Sequence, residues 1–379
     1  MDAKTQASIF SHFEQVVDPR IERSKEYQLT DIIVIAVCAV ICGANNWVEI
    51  EAWGNEKLSW LRQFMVLANE IPSHDTFGRV FSRLEAEQFQ SAFLNWVQSA
   101  YELSDGQVVS IDGQQLRRSP DRRAGKSAIY MVSAWANKNH LTLGQRKVDT
   151  KSNEITAIPK LLEVLSLNGC IVTIDTMGCQ KTIGQAIIDK EADYVLALKE
   201  NQKNLYEDTA DLFQPVEQMP SHHLTTDYVR TVEKGHGRLE TRECWTITDL
   251  NGFAYFRAEG TWAGLKTVVK VRRQRQLSET VTTDETCYYI SSLSTGAAQI
   301  LNAIRAHWWI ENNLHWILDV AFREDDQRVR TGNSPENFAV LRHIALNLLK
   351  QETTVKMGIN GKRLKAAWSE AYLLKVIGV

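Results

Sequence analysis

Two segments of this 379-residue chain end in the same way: Val108-Val109-Ser110-Ile111-Asp112-Gly113 and Ile171-Val172-Thr173-Ile174-Asp175-Thr176. Each reads as a buried apolar strand that delivers an aspartate. Burying a carboxylate costs several kcal/mol unless it is paired or bound to a cation, so a repeated strand-end acid calls for one joint explanation. A lone Ile-Asp is a common turn or helix cap. In α/β sheets, however, ligands bind in the crevice outside the carboxyl ends of the strands, where neighbouring strands would bring Asp112 and Asp175 out together.

The flanking pattern says what kind of sheet to expect. Gln107 to Leu116, Ser127 to Asn137 and Leu141 to Val148 read as consecutive strands of a meander. An amphipathic helix over Ile155 to Leu167, opened by Ser152-Asn153-Glu154, leads to the strand Cys170 to Asp175. Lys181 to Ala192 reads as a further helix and Tyr194 to Lys199 as a further strand. The order β-β-β-α-β-α-β is the one an RNase H-like core with a mixed sheet requires, so the expected class is α/β.

A chain of this length, 44% hydrophobic, can bury a core and divide into two or three domains. Residues 1–103 show apolar positions at helical spacing in Leu29 to Ala44, Val48 to Phe64, Phe77 to Leu84 and Phe89 to Tyr101, an all-α N-terminal domain. Within it Ser73 caps a helix whose polar face carries Arg79 and Arg83; a surface helix of a bundle is the plainer reading, a groove-entering helix the functional one. Residues 104–200 hold the first part of the core, 201–290 a polar, β-rich insertion, and 291–379 the last part of the core with closing helices. The insertion's short runs are Tyr228 to Val232, Arg242 to Thr248, Thr267 to Arg273 and Thr286 to Ser291.

A third acid is expected from a helix beside the two strands, and Gly296 to Phe322 is a long helical pattern. At about 100° per residue, four-residue steps drift only about 40°, so His307, Glu311, His315 and Asp319 form one stripe. The ordinary meaning of such a stripe is the wet face of an amphipathic helix. A His-Glu-His zinc site is a rival, but it lacks the HExxH order. Three carboxylates, Asp112, Asp175 and Glu311, suit a pair of Mg2+ (or Mn2+) ions, hard cations that prefer oxygen. Two ions about 3.5–4 Å apart would serve an in-line phosphoryl transfer, activating a water or 3′-hydroxyl and stabilising the leaving 3′-oxygen.

The formal net charge of −3, taken globally, argues against a nucleic-acid partner, yet its distribution matters more. One basic segment holds Arg117, Arg118, Arg122, Arg123 and Lys126; another holds Lys266, Lys270, Arg272, Arg273 and Arg275. Either alone reads as a solvated loop or a charged edge strand. The first follows Asp112 closely and could hold a DNA backbone beside the acids. His236 and Arg238, in a two-glycine turn most simply read as a hairpin, join the expected DNA contacts, as do Arg272, Arg273, His307 and His315.

Other classes recede. The six cysteines lack zinc or disulfide spacings and read as reduced core residues. The N-terminus lacks a secretory pattern, and Ile32 to Cys42 is too short to span a bilayer, so a cytoplasmic protein without membrane contact is expected. Gly125-Lys126-Ser127 resembles the end of a phosphate-binding loop, but Pro120 stands where its first glycine would be.

Longer motifs carry a family resemblance. These are Pro72-Ser73-His74-Asp75-Thr76, Lys151-Ser152-Asn153-Glu154-Ile155-Thr156-Ala157-Ile158-Pro159, Asp175-Thr176-Met177-Gly178-Cys179-Gln180-Lys181, His236-Gly237-Arg238 and His307-Trp308-Trp309-Ile310-Glu311-Asn312-Asn313-Leu314-His315-Trp316. Over nearly its whole length the chain resembles the H-repeat-associated proteins found with Rhs elements, within the DDE insertion-sequence transposases. The resemblance implies an RNase H-like core, a β-rich insertion before the last acid, and Asp112, Asp175 and Glu311 as the metal-binding triad. It also implies double-stranded DNA as partner and a homodimer on DNA, since two element ends must be paired. Two positions depart from the family: Gln114-Gln115 stands where its members read Lys-Thr, and His307 stands where the wider group has Arg. A remnant that binds DNA without transposing, and a nuclease without end recognition, are the alternatives.

Overall fold

A computed structural model describes residues 9–22, 25–120, 128–148, 154–218, 226–235, 238–248, 250, 262–276 and 282–378. Its centre is a nine-stranded mixed sheet. The strands are β1 (Val108–Leu116), β2 (Ile129–Ala136), β3 (Leu141–Lys147), β4 (Ile171–Ile174), β5 (Asp193–Leu198), β6 (Thr226–Gly235), β7 (Arg238–Ile247), β8 (Thr267–Gln276) and β9 (Thr282–Ser291), in the spatial order β3-β2-β1-β4-β5-β9-β8-β7-β6. β1, β4 and β5 are parallel; the meander β1-β2-β3 and the ladder β5-β9-β8-β7-β6 are antiparallel. The register Ser110↔Thr173, Ile111↔Ile174 makes the two acid-bearing strands direct neighbours.

Alternation along these strands sorts side chains to two faces. Ile111 and Ile174 join the larger apolar cluster, which also takes in the N-terminal and C-terminal helices. Ile171 and Val195 join a second cluster on the other face, covered by α9 (Ala297–His307) through Ala297, Ile300, Leu301, Ala303 and Ile304. Helices α6 (Glu154–Val164) and α7 (Lys181–Ile188) make the parallel crossovers.

The N-terminal helices are α1 (Ile9–Phe13), α2 (Leu29–Ile41), α3 (Trp47–Leu61), α4 (His74–Arg83) and α5 (Ala86–Ala100). Asn46 and Ser73 cap α3 and α4, accepting the N–H of Glu49 and Thr76. α2 is buried from Ile32 to Ile41, which explains its uninterrupted apolar run. Its burial comes from packing against α11 (Ser334–Gln351), itself buried nearly throughout. Between α9 and α11 runs α10 (Trp316–Ala321), and α12 (Ile359–Trp368) and α13 (Glu370–Ile377) close the chain. No described helix is long and apolar enough to cross a membrane, and all six cysteines are free, four of them buried.

Two features differ from the sequence reading. The segment after residue 200 opens with a helix, α8 (Lys203–Gln218), which buries Leu205, Thr209, Leu212 and Phe213. The strands beyond α8 extend the central sheet, because β9 pairs with β5 through Leu196↔Ile290. The long helical pattern near Glu311 is also interrupted: Glu311–His315 forms a π-helical turn between α9 and α10.

Candidate metal centre

Asp175 follows the end of β4, whereas Asp112, expected at a strand end, lies within β1, which runs on against β2 to Leu116; each acid stands one residue past the isoleucine pair at which the β1–β4 ladder stops. Asp112 shares its strand face with Ser110, and this face is polar where it meets the end of α9. The Ser110 hydroxyl donates to the Ala306 carbonyl (3.3 Å), and Thr173 Oγ1 lies 3.2 Å from His307 Nδ1. These contacts dock the helix so that the π turn just beyond it swings over the strand ends. Wider turns of this kind recur at functional sites.

The turn places Glu311 and His315 against Asp112. His315 Nδ1 is 3.6 Å from Asp112 Oδ2 and 3.6 Å from Glu311 Oε2, and one donor atom from each of the three lies within 4.8 Å of the others. Asp175 lines the same cavity of about 730 Å3 as Asp112, Glu311, His307 and Trp308. Its Oδ1 accepts the N–H groups of Met177 (3.1 Å) and Gly178 (3.3 Å). Asp319, the last of the expected stripe, is turned away and accepts the Gln114 amide (3.1 Å). The π turn re-aims the face of the helix downstream of it.

Crowded acids in a half-closed site titrate unusually. Burial pushes the Asp112 carboxyl up to about 7; Glu311 and Asp175 add to this, while His315 and the Gly113 N–H oppose it. The His315 ring holds Glu311 below its ordinary value. For His315 burial disfavours the charged ring, yet Glu311 and Asp112 together hold its pKa above the ordinary value. Burial lowers His307. A buried carboxylate raised for want of countercharge, beside two further acids, is a donor set that fits a divalent cation.

The sequence reading passed over Glu154 as part of the site. It opens α6, and its carboxylate lies over Gly113: a Cβ added there would stand 2.2 Å from Glu154 Oε1. Burial raises its pKa, with Asp175 adding. The clue in sequence was an acid in a helix's first turn, which ordinarily means only a favourable dipole contact.

Of the expected DNA contacts, Arg122, Arg123, Lys126 and His236 lie outside the described residues. Arg117 and Arg118 pair with Asp325 (3.2 Å) and Asp326 (3.1 Å). Arg272 pairs with Asp284 (2.6 Å), and Arg273 with Glu285 while also lying 5.9 Å from the Trp308 ring. His307 is half-buried beside Thr173, and His315 is buried among the acids. Arg238 and Arg273 line a second hollow of about 280 Å3 with Arg275 of the same basic run and with two arginines not singled out from sequence, Arg242 and Arg305. The buried Glu240 holds Arg242 (2.9 Å) and Arg275 (3.0 Å), and Glu233 holds Arg242 (3.0 Å) and Arg305. This hollow adjoins the acid-lined cavity, sharing Glu285, Tyr289 and Trp308. The pattern is a cross-strand one, since Glu240↔Arg275 and Arg242↔Arg273 are register partners.

Fold and site together define an α/β protein with a carboxylate-rich centre at the carboxyl edge of parallel strands. Comparison with known proteins makes this particular. Residues 103–348 match the family described as "Transposase DDE domain", and residues 10–97 match the one described as "DDE_Tnp_1-associated". The chain belongs to the DDE transposase domain family. It is 41% identical to "Putative transposase YncI" of Escherichia coli O157:H7, over 98% of this chain and 94% of that one. It is 38% identical to "H repeat-associated putative transposase YhhI" of Escherichia coli K12, over 97% of each. A solved structure, the piggyBac transposase synaptic complex with hairpin DNA, aligns with 98% of this chain and 77% of its own at 11% identity and a TM-score of 0.41, too loose a likeness to carry a conclusion.

Proposed function

We propose that this protein cuts and joins DNA strands at the ends of an insertion element, on an RNase H-like core, with Asp112, Asp175 and Glu311 as ligands for two Mg2+ or Mn2+ ions. The observation that carries the reading is the meeting of these acids from β1, β4 and the turn after α9 on one cavity. When bound, the ions supply activation of the attacking water or 3′-hydroxyl and countercharge for the leaving 3′-oxygen. Asp112 and Asp175 fix the position of that charge from rigid strands, and Glu311 closes it from the helix side. The arginine hollow beside Trp308 holds the phosphate backbone of the strand entering the cavity, positioning it without reading its sequence. Residues 1–103 grip the element end, 104–200 and 291–379 form the core that carries the triad, and 201–290 supply the arginine face. Two copies act together on paired ends, in the cytoplasm where the DNA lies.

A second reading, a DNA-binding remnant, draws on Gln114. Its amide is spent on Asp319, where the resembling family would place a lysine cation. The test is incubation of the purified protein with DNA carrying the element's ends and Mg2+ or Mn2+. Nicking and joining should exceed that of an Asp112→Asn, Asp175→Asn double variant. Binding without any product would support the remnant, and equal cleavage of unrelated DNA would support a nuclease without end recognition.

A further inference from the structure

We propose that His315 is itself a metal ligand: its Nδ1 joins Asp112 and Glu311 around one of the two cations and gives that position a preference for Mn2+ over Mg2+. The proposal rests on the metal-dependent reading above and assigns one of its two positions.

Three donor atoms, one each from Asp112, Glu311 and His315, converge within 4.8 Å of one another. His315 is 4% exposed, and its Nδ1 stands 3.6 Å from an oxygen of each acid, beyond hydrogen-bond length from both. Around a six-coordinate ion, ligands at about 2.1 Å lie roughly 3 Å apart when adjacent and about 4.2 Å apart when opposite. Both His315 separations fall between these limits and the three donors lie within 4.8 Å of one another, so small side-chain shifts would bring all three onto one ion. On the far side of the ring, Nε2 is buried and has no hydrogen-bond partner among the described residues. A buried imidazole whose one nitrogen is unpartnered and whose other is aimed between two carboxylates is costly to keep unless something binds it. A simple His315–carboxylate ion pair is the competing account, and it would draw Nδ1 onto one oxygen instead of holding it level between two.

The chemistry sets the ion preference. Mg2+ favours all-oxygen surroundings and binds imidazole poorly, whereas Mn2+ and later divalent metals accept nitrogen. The other position, between Asp112 and Asp175, offers only oxygen and discriminates less. The π turn is what makes this possible, because it holds Glu311 and His315 against the same acid, Asp112 of β1.

The test is Mn2+ added to the full-length protein and examined by electron spin-echo modulation. Directly bound 14N should appear, persist in His307→Gln and vanish in His315→Gln. His315→Gln should also weaken Mn2+ binding by about tenfold or more while changing Mg2+ binding, read by competition, less than about threefold. If His315→Gln does not fold, a nitrogen signal in the wild type that survives His307→Gln still supports the assignment. Mn2+ bound without nitrogen coupling, or coupling that persists in His315→Gln, overturns it and leaves the carboxylate reading standing. Failure of the protein to bind Mn2+ at all overturns both.

Discussion

Asp112 is a residue at which stability and the proposed metal binding are opposed. Its carboxyl, 16% exposed, is raised to about 7 by burial, with Glu311 and Asp175 adding, whereas in the unfolded chain it titrates near 3.8. A group raised in this way favours the folded state most below its unfolded value and loses that contribution as pH climbs through 7. Asp112→Asn removes the charge. In chelator at pH 7.5 the variant should be more stable than the wild type, on the order of 1–3 kcal/mol because His315 already offsets part of the cost. Mg2+ or Mn2+ should raise the melting temperature of the wild type but not of the variant. Thermal melts with and without metal check this, and a variant less stable in chelator would contradict it. The repeated apolar run ending in an acid was enough to expect Asp112 and Asp175 together, because a buried acid on an apolar strand is costly in any fold, and they do line one cavity. Helical spacing put Glu311 on a stripe with His307, His315 and Asp319 without choosing among them. What His315 touches was not legible, since it depends on a π turn, and neither was Glu154, whose place over Gly113 depends on how α6 packs.

Among the elements, those with strong periodicity were legible and those set by partners were not. β1 to β5, α6 and α7 fall within a few residues of where alternation and caps placed them. α8 was missed because its buried Leu205, Thr209, Leu212 and Phe213 are diluted among polar residues, and packing on β9 rather than hydropathy decides it. The basic run in β8 was visible, but its meaning was not. Register alone shows that Arg273 and Arg275 face Arg242 and Glu240, whereas Arg272 turns to the other side and pairs with Asp284. Arginines whose positions carboxylates fix are suited to phosphate, since less side-chain freedom is lost on binding. Arg238→Ala and Arg305→Ala should each weaken DNA binding by about twofold to tenfold and lower the slope of log affinity against log salt by about 1, equally for end-bearing and unrelated DNA. Binding isotherms at several salt concentrations measure both. Unchanged slopes would remove this face from the DNA track.

The whole molecule shares one main core, in which residues of α2, the central sheet, α9's downstream turn and α11 touch in a single cluster. α11 is the link, and it carries charge at a depth where charge is rare. Arg342 and Glu324 form an ion pair with side chains 1% and 3% exposed, and the adjacent His343 is pushed down to about 3 by burial, with His315 and Arg342 adding. His343 is therefore neutral when folded, while in the unfolded chain it takes a proton below about 6.5. Stability is present above that value and lost as pH falls towards 3, by up to about 1.4 kcal/mol per pH unit. Between pH 7 and 5 the wild type should lose more stability than His343→Gln, by close to one proton's worth of slope in denaturant melts; parallel slopes would show that the imidazole is charged or wet. The same continuity bears on the strands beyond β5. They are joined to the core by a ladder from Val195↔Ser291 to Leu198↔Tyr288, not by a flexible tether. A sheet edge extended this way should unfold with its core, because breaking β5 from β9 exposes apolar side chains on both faces. Hydrogen exchange should place the amides of Leu196 and Ile290 in the same slow class, and circular dichroism and tryptophan fluorescence should report one coincident transition. Early exchange of β7 to β9, with β1, β4 and β5 still protected, would mean that the arginine face folds separately from the centre it borders.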